Sequence, residues 1–238
     1  MDLLTTLRTT GAIREFGPDP VPDVVLARIL DSARFAPNGG NAQSWRVVVV
    51  RDPATRRALR DAYLEGWKRY LAMTVAGLRP WAPVTDPDRE SAALAPIEAG
   101  EAAPVPMGDF AEHLDEVPAL LVLLADLRLL AAVDRDLDRY TFIGGASVYP
   151  FAWSILLAAR AEGLGGVMTT MPIHREDDVK RTLGVPEEFA VAAVIALGRP
   201  VHQPTRLRRK PVEEFATFDT FDGPPLAPSE GDRATTRS

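Results

Sequence analysis

The run Ala119-Leu120-Leu121-Val122-Leu123-Leu124-Ala125 is the most apolar stretch of the chain. It is too short to span a bilayer, which takes roughly 20 apolar residues. Its length and composition favour an interior β-strand, although periodicity alone leaves a short buried helix open. We therefore expect this run to lie in the protein core.

Three other segments favour extended structure. The β-branched run Trp45-Arg46-Val47-Val48-Val49-Val50 ends at Asp52-Pro53, which is typical of a buried strand. Residues 167–170 continue as extended chain after the turn Gly163-Leu164-Gly165-Gly166, and residues 190–197 form another apolar run. The sequence thus predicts a sheet built from strands that are far apart along the chain.

Helical periodicity separates these strands. One amphipathic helix begins near Pro22 and is stopped by Pro37, and a second is predicted for residues 53–71. Residues 142–162 predict a long helix that is apolar on nearly every side, which places it inside the protein or inside a dimer. A short polar helix is predicted for residues 175–183. This order of elements indicates an α+β fold, a mixed sheet flanked by helices.

Prolines interrupt residues 79–118, so no long helix is expected to cross this segment without a break. An excursion of this length inside a compact domain is a lid, a binding loop or a linker. We favour a lid. Residues 1–221 are expected to form one domain, and the Pro-, Gly-, Ser- and charge-rich residues 222–238 a flexible tail.

Composition excludes several classes of function. The 238-residue chain carries 27 basic and 33 acidic side chains, a net charge of −6, so no basic surface for nucleic acid or an anionic membrane is expected. It contains no cysteine, which removes disulfides and thiolate chemistry. The first ten residues lack a secretory signal. We expect a soluble cytoplasmic protein that binds a small molecule.

No familiar catalytic motif is present. His113, His174 and His202 are scattered without metal-ligand spacing, so we expect no metal. No serine lies in a nucleophile elbow. The turn at Gly163 follows a helix and precedes a strand, the reverse of a dinucleotide-binding turn. A protein of this size without its own reactive group is expected to borrow one from a cofactor.

Two short segments near the chain ends have cationic centres. Thr9-Thr10-Gly11-Ala12-Ile13-Arg14-Glu15-Phe16 lies near the start, and Arg206-Leu207-Arg208-Arg209-Lys210-Pro211 near the end. Two arginines and the amides of small residues can hold one phosphate monoester, because each charge-assisted hydrogen bond contributes about 1.5–3 kcal/mol. The alternative is that these residues are solvated surface.

Seven stretches in register along the chain resemble the FMN-dependent nitroreductase family, most closely its actinobacterial members. They are Thr9-Thr10-Gly11-Ala12-Ile13-Arg14-Glu15-Phe16, Asp19-Pro20-Val21-Pro22, Ala36-Pro37-Asn38-Gly39-Gly40-Asn41-Ala42-Gln43-Ser44-Trp45-Arg46, Gly145-Ala146-Ser147-Val148-Tyr149-Pro150, Leu156-Leu157-Ala158-Ala159-Arg160, Gly163-Leu164-Gly165 and Arg209-Lys210-Pro211. The resemblance implies a homodimer with FMN held between its subunits and the helix of residues 142–162 at the interface.

The resemblance also implies which residues hold the flavin. The family's phosphate-binding Arg-Arg-Ser-x-Arg segment corresponds to Thr10, Gly11, Ala12, Ile13 and Arg14, of which only the last keeps an arginine. Phosphate binding would therefore depend more on Arg14 and Arg209, and weaker FMN retention would follow. The other implied cofactor contacts are Asn38 and Gln43, in a loop that in the family reaches the flavin from the other subunit, and Gly165, Thr169, Thr170 and Met171.

The implied chemistry is a ping-pong reaction in which NADH or NADPH reduces the flavin and a nitroaromatic, quinone or related aromatic acceptor reoxidises it. Trp67, Tyr70 and Trp81 are the expected substrate contacts of the lid, and no catalytic side chain can be named. Three alternatives stay open. They are a dehalogenase of the same fold, a biosynthetic flavin oxidase, and a flavin-binding protein without turnover.

Overall fold

The computed structural model describes residues 2–227, and the chain divides into two compact units. The first unit runs to Pro204 and the second begins at Thr205. Part of the predicted tail, residues 228–238, lies outside the described residues. The prediction of one domain over residues 1–221 stays a prediction.

The first unit is built on a four-stranded sheet in the order β1-β2-β4-β3. Its strands are Trp45–Val50 (β1), Ala119–Asp126 (β2), Gly165–Thr169 (β3) and Phe189–Gly198 (β4). All four predicted extended segments are confirmed. The predicted mixed sheet was wrong, because every neighbouring pair of these strands is antiparallel. Among the described residues, parallel pairing is limited to one isolated bridge, between Ala12 and Gly166.

Strand β2 lies inside the sheet, between β1 and β4, and every one of its residues is buried. Leu121 and Leu123 point into one apolar cluster, whereas Leu120 and Val122 point into the other. Since side chains of a strand alternate between the two faces, both faces of the sheet are covered. The run that begins at Ala119 is therefore a strand, and the alternative of a short buried helix is excluded.

Helices cover the two faces. The helices are Leu3–Thr9 (α1), Asp23–Ala33 (α2), Pro53–Val75 (α3), Pro87–Glu98 (α4), Asp109–Glu112 (α5), Tyr149–Ala161 (α6) and Glu176–Leu183 (α7). Buried residues of α2 and α6 belong to one apolar cluster, and those of α3 and α7 to the other. Within residues 2–227, no helix is long and apolar enough to cross a membrane.

The helix predicted for residues 142–162 is shorter than expected. A 3-10 turn occupies Ile143–Ser147, and the α-helix begins only at Tyr149. Gly144 and Gly145 disfavour helix, whereas Pro150 is tolerated in a first helical turn. The helix is also not buried on every side, because Trp153 is exposed while Phe151 and Ile155 are buried.

The proline-rich excursion contains more helix than expected. Helix α4 starts at Pro87, where the missing N–H costs nothing, and the Asp86 side chain accepts the N–H groups of Asp88 and Arg89. Pro96 lies in its last turns. The excursion is therefore an ordered segment. Its role as a lid stays a prediction.

Arg56 of α3 joins this helix to the strand edges. Its buried guanidinium donates to the carbonyls of Val50, Asp115 and Val117. These carbonyls belong to the end of β1 and to the segment that enters β2. One side chain therefore supplies hydrogen-bond donors to three backbone carbonyls.

Replacing Arg56 with methionine keeps most of the side-chain volume but leaves these carbonyls without a donor. We expect a loss of about 3 kcal/mol in the free energy of unfolding, measured by urea denaturation. The neighbouring Arg57 is exposed, so Arg57→Met is the matched control and should change stability by less than about 0.5 kcal/mol. Equal effects of the two substitutions would contradict this account.

Candidate functional site

The N-terminal segment lies along the edge strand β3. Ala12 pairs with Gly166, and the Ile13 N–H donates to the Gly166 carbonyl at 2.9 Å. The side chain of Ile13 is buried. A Cβ at Gly165 would lie 2.6 Å from Cγ1 of Ile13, so a glycine is required for this approach. Ala12, Ile13 and Gly165, all predicted cofactor contacts, are thus brought together.

Thr10 and Arg14 flank this contact and differ in whether the side chain already has a hydrogen-bond partner. The Thr10 hydroxyl is buried and donates to the Thr6 carbonyl at 2.7 Å, so it completes α1. Gly11 follows it without a side chain. Arg14 is exposed, and its guanidinium makes no hydrogen bond or ion pair with another residue in the described part of the chain. Arg14 therefore presents a cation that the unit itself does not neutralise.

Tyr63 of α3 is a site residue that the sequence did not reveal. Burial raises the pKa of its hydroxyl to about 12, while the charge of Arg14 and the Thr169 hydroxyl lower it by less. Tyr63 belongs to the same apolar cluster as Val167 of β3. At neutral pH Tyr63 stays protonated and can donate a hydrogen bond.

The chain after β3 forms a tight turn against α3. Thr170 leads into a 3-10 turn at Met171–Arg175, and the Met171 N–H donates to Oγ1 of Thr169 at 3.4 Å. A Cβ on Gly66 of α3 would collide with the Met171 carbonyl oxygen. Gly66 therefore lets helix and turn approach closely, a role that only the tertiary structure reveals.

This turn forms one wall of a cavity of about 560 Å³. The wall consists of Thr170, Met171, Ile173 and His174. The remaining lining residues are Trp81, Ala82 and Glu90 from the excursion, together with Tyr140 and Tyr149. Two predicted cofactor residues, Thr170 and Met171, and one predicted substrate residue, Trp81, therefore line the same space.

An aromatic row runs from α3 to this cavity. Successive ring centroids are 5.9 Å apart for Tyr63 and Trp67, 4.8 Å for Trp67 and Tyr70, 6.4 Å for Tyr70 and Trp81, and 6.2 Å for Trp81 and His174. The Trp67 indole donates to the carbonyl of Met107 at 2.7 Å. Of the predicted substrate residues, Trp81 lines the cavity, whereas Trp67 and Tyr70 form the stack behind it.

His174 faces the cavity in a neutral form. Burial lowers the pKa of its imidazole, and the charges of Arg69 and Arg175 lower it further, while Glu65 acts in the opposite direction. The sequence had indicated only that His174 lacks metal-ligand spacing. Its position in the turn directly after β3 is the signal that could have identified it.

The predicted contacts Asn38 and Gln43 lie elsewhere. Oδ1 of Asn38 accepts the Gln43 N–H at 2.8 Å, so this side chain holds its own loop together. Gly39 donates to Oγ of Ser147 at 3.0 Å. The loop leads into β1, which is the sheet edge opposite β3 and about 14 Å away by three strand spacings. The structure does not bring Asn38 and Gln43 together with Gly165 and Thr169.

Arg209 belongs to the second unit. Its Nη1 donates to the Arg208 carbonyl at 2.8 Å, and it lines a cavity of about 480 Å³ with Arg206, Leu207 and Arg208. A dense group of cations thus exists in this unit. In neither unit do three or more His, Asp or Glu side chains among residues 2–227 form a group that could hold a metal ion.

Comparisons with known proteins identify the relatives of this chain. A family model described as "Nitroreductase family" matches residues 7–199. A Thermus thermophilus protein named NADH dehydrogenase is 32% identical over 92% of this chain and 96% of its own length. The nitrobenzene nitroreductase of Ectopseudomonas oleovorans is 26% identical over 89% of this chain and 94% of its own length.

Solved structures share the fold. An oxidised iodotyrosine deiodinase bound to FMN and 3-iodo-L-tyrosine superposes with a TM-score of 0.62 and 22% identity, covering 92% of this chain and all of that chain. These matches confirm the family that the sequence motifs indicated.

The contact at Gly66 gives a testable consequence. Glycine to alanine inside a helix normally stabilises by about 1 kcal/mol, but here the added methyl group collides with the Met171 carbonyl. We expect Gly66→Ala to lower the free energy of unfolding by about 1–3 kcal/mol, measured by urea denaturation. An increase in stability would show that α3 and the turn do not approach as described.

Proposed function

We infer that this chain, which belongs to the Nitroreductase family, is an FMN-dependent oxidoreductase. NADH or NADPH supplies the electrons, and a small aromatic molecule such as a nitroaromatic or a quinone accepts them. The names of its relatives support the proposal, since they include an NADH dehydrogenase and a nitrobenzene nitroreductase. The FMN-bound deiodinase of the same fold supports the cofactor.

The observation that carries the proposal is the juxtaposition at the end of β3. Arg14, a cation without an ion pair among residues 2–227, directly follows Ile13, whose N–H bonds to Gly166 of β3, and the turn after β3 lines an aromatic cavity. A phosphorylated aromatic cofactor requires this donor set, because its phosphate needs a cation and its ring needs a flat apolar space with a polar edge. The residues present therefore fit FMN.

When bound, the flavin supplies hydride chemistry that protein side chains cannot provide. The chain's own residues bind and orient it. Arg14 would hold the phosphate, and the Thr169 and Thr170 hydroxyls and the Met171 amide would hold the polar edge of the ring. Trp81 and its aromatic neighbours would limit access of water to the cavity.

A homodimer completes this arrangement. Asn38 and Gln43 lie toward the opposite sheet edge from Gly165, so one chain does not enclose a ligand with both groups. We propose that a second copy supplies the loop of residues 38–43, with α6 at the interface. The exposed Trp153 of this helix, and the exposed Leu3 and Phe35, supply apolar surface for such a contact.

Turnover tests the function directly. Under anaerobic conditions the full chain supplied with FMN should sustain NADH or NADPH oxidation only when an acceptor such as menadione is added, because the bound cofactor must be reoxidised for each cycle. Absorbance at the nicotinamide band measures the rate. A protein that holds flavin but gives no acceptor-dependent oxidation would be a flavin-binding protein without turnover, and the proposed function would be wrong.

Arg14→Ala tests the phosphate contact. Loss of a charge-assisted hydrogen bond should raise the FMN dissociation constant roughly 10- to 100-fold, measured by flavin fluorescence titration, without changing the melting temperature. Arg8→Ala is the matched control, because Arg8 is an exposed arginine in the last turn of α1. Equal affinities of the Arg14→Ala variant and wild type would show that the phosphate lies elsewhere.

A further inference from the structure

The cavity beside the turn at Met171 carries an unbalanced charge. Of the residues that line it, Glu90 is the only one with a formally charged side chain at neutral pH. It belongs to α4 and is half-buried. Its carboxylate forms no ion pair within residues 2–227. Any molecule that enters the cavity therefore meets a negative charge.

No cation in the lining offsets Glu90. His174 stays neutral, because burial and two nearby arginines lower its pKa. Both arginines lie outside the lining and are themselves paired, Arg69 with Glu98 and Arg175 with Asp178.

The rest of the lining suits a flat uncharged molecule. Trp81 lines the cavity with a φ of 50°, a left-handed backbone conformation that is strained for a bulky residue. Tyr140 and Tyr149 add two rings, and the Tyr149 hydroxyl donates to the Ala192 carbonyl at 3.3 Å. These aromatic surfaces favour stacking of a planar ligand.

We propose that this cavity binds the electron acceptor beside the flavin ring, which would lie along the turn at Met171, and that Glu90 makes the acceptor site selective for uncharged or cationic aromatic molecules over anionic ones. The inference rests on the proposed function only where it identifies the molecule bound in the cavity as the electron acceptor. The selectivity is a property of the cavity. Glu90 acts on binding, through repulsion of carboxylates, sulfonates and phosphates on the ring.

The test compares two probes that differ by one charge, 4-nitrobenzamide and 4-nitrobenzoate. Their dissociation constants are measured by equilibrium dialysis against the oxidised full-length protein without a nicotinamide, so no turnover is needed. Wild type should bind the amide about fivefold more tightly than the carboxylate at low ionic strength. The preference should shrink in 1 M salt, where charges are screened within about 3 Å.

Glu90→Gln should reduce the preference to less than about twofold by improving binding of the carboxylate. Asp88→Asn is the matched control, because Asp88 is exposed on the same helix and the variant has the same net charge. It should keep the wild-type preference. Equal binding of the two probes to wild type, or an unchanged preference in Glu90→Gln, would overturn the proposal.

These results separate the proposed function from the inference about Glu90. Absence of flavin or of acceptor-dependent turnover would refute the proposed function, while the dialysis experiment would still report whether the cavity discriminates by charge. A flavin enzyme that binds both probes equally would retain the proposed function and lose the inference about Glu90.

Discussion

Complete burial of strand β2 is the constraint on which the rest of this structure depends. Every residue of β2 is buried, and its side chains alternate between two apolar clusters, so helices must cover both faces of the sheet. Polar chemistry is thereby excluded from the middle of the sheet. It is left to the edges and to the turns where strands end, and the candidate site lies at the edge strand β3 and the turn that follows it.

The strands could be predicted because a continuous apolar run of this length has few alternatives to a buried strand. The direction of the strands could not be predicted, since an apolar run such as that at Ala119 would have the same sequence pattern in a parallel sheet as in an antiparallel one. The helix of residues 142–162 was predicted too long because its apolar composition outweighed the effect of Gly144 and Gly145. The ordered helix at Pro87 was missed because prolines at a helix start and near its end are compatible with helix.

The candidate site, too, could be predicted from the sequence only in part. The resemblance indicated Arg14, Gly165 and Thr169, which the fold brings to one strand edge. Gly66 and Tyr63 acquire their roles from the packing of α3 against distant segments, and no local pattern marks them. Asn38 and Gln43 are expected to reach the ligand from the other subunit, and within one chain they lie toward the other edge of the sheet. This separation is the physical reason to expect that two copies of the chain build each site.

The central claim is that this arrangement holds FMN. The most direct measurement is the visible absorption spectrum of the full chain purified from cells supplied with riboflavin, followed by release and identification of the chromophore. The account predicts flavin bands that NADH or NADPH bleaches, and FMN as the released compound. A colourless protein that also fails to bind added FMN would contradict it.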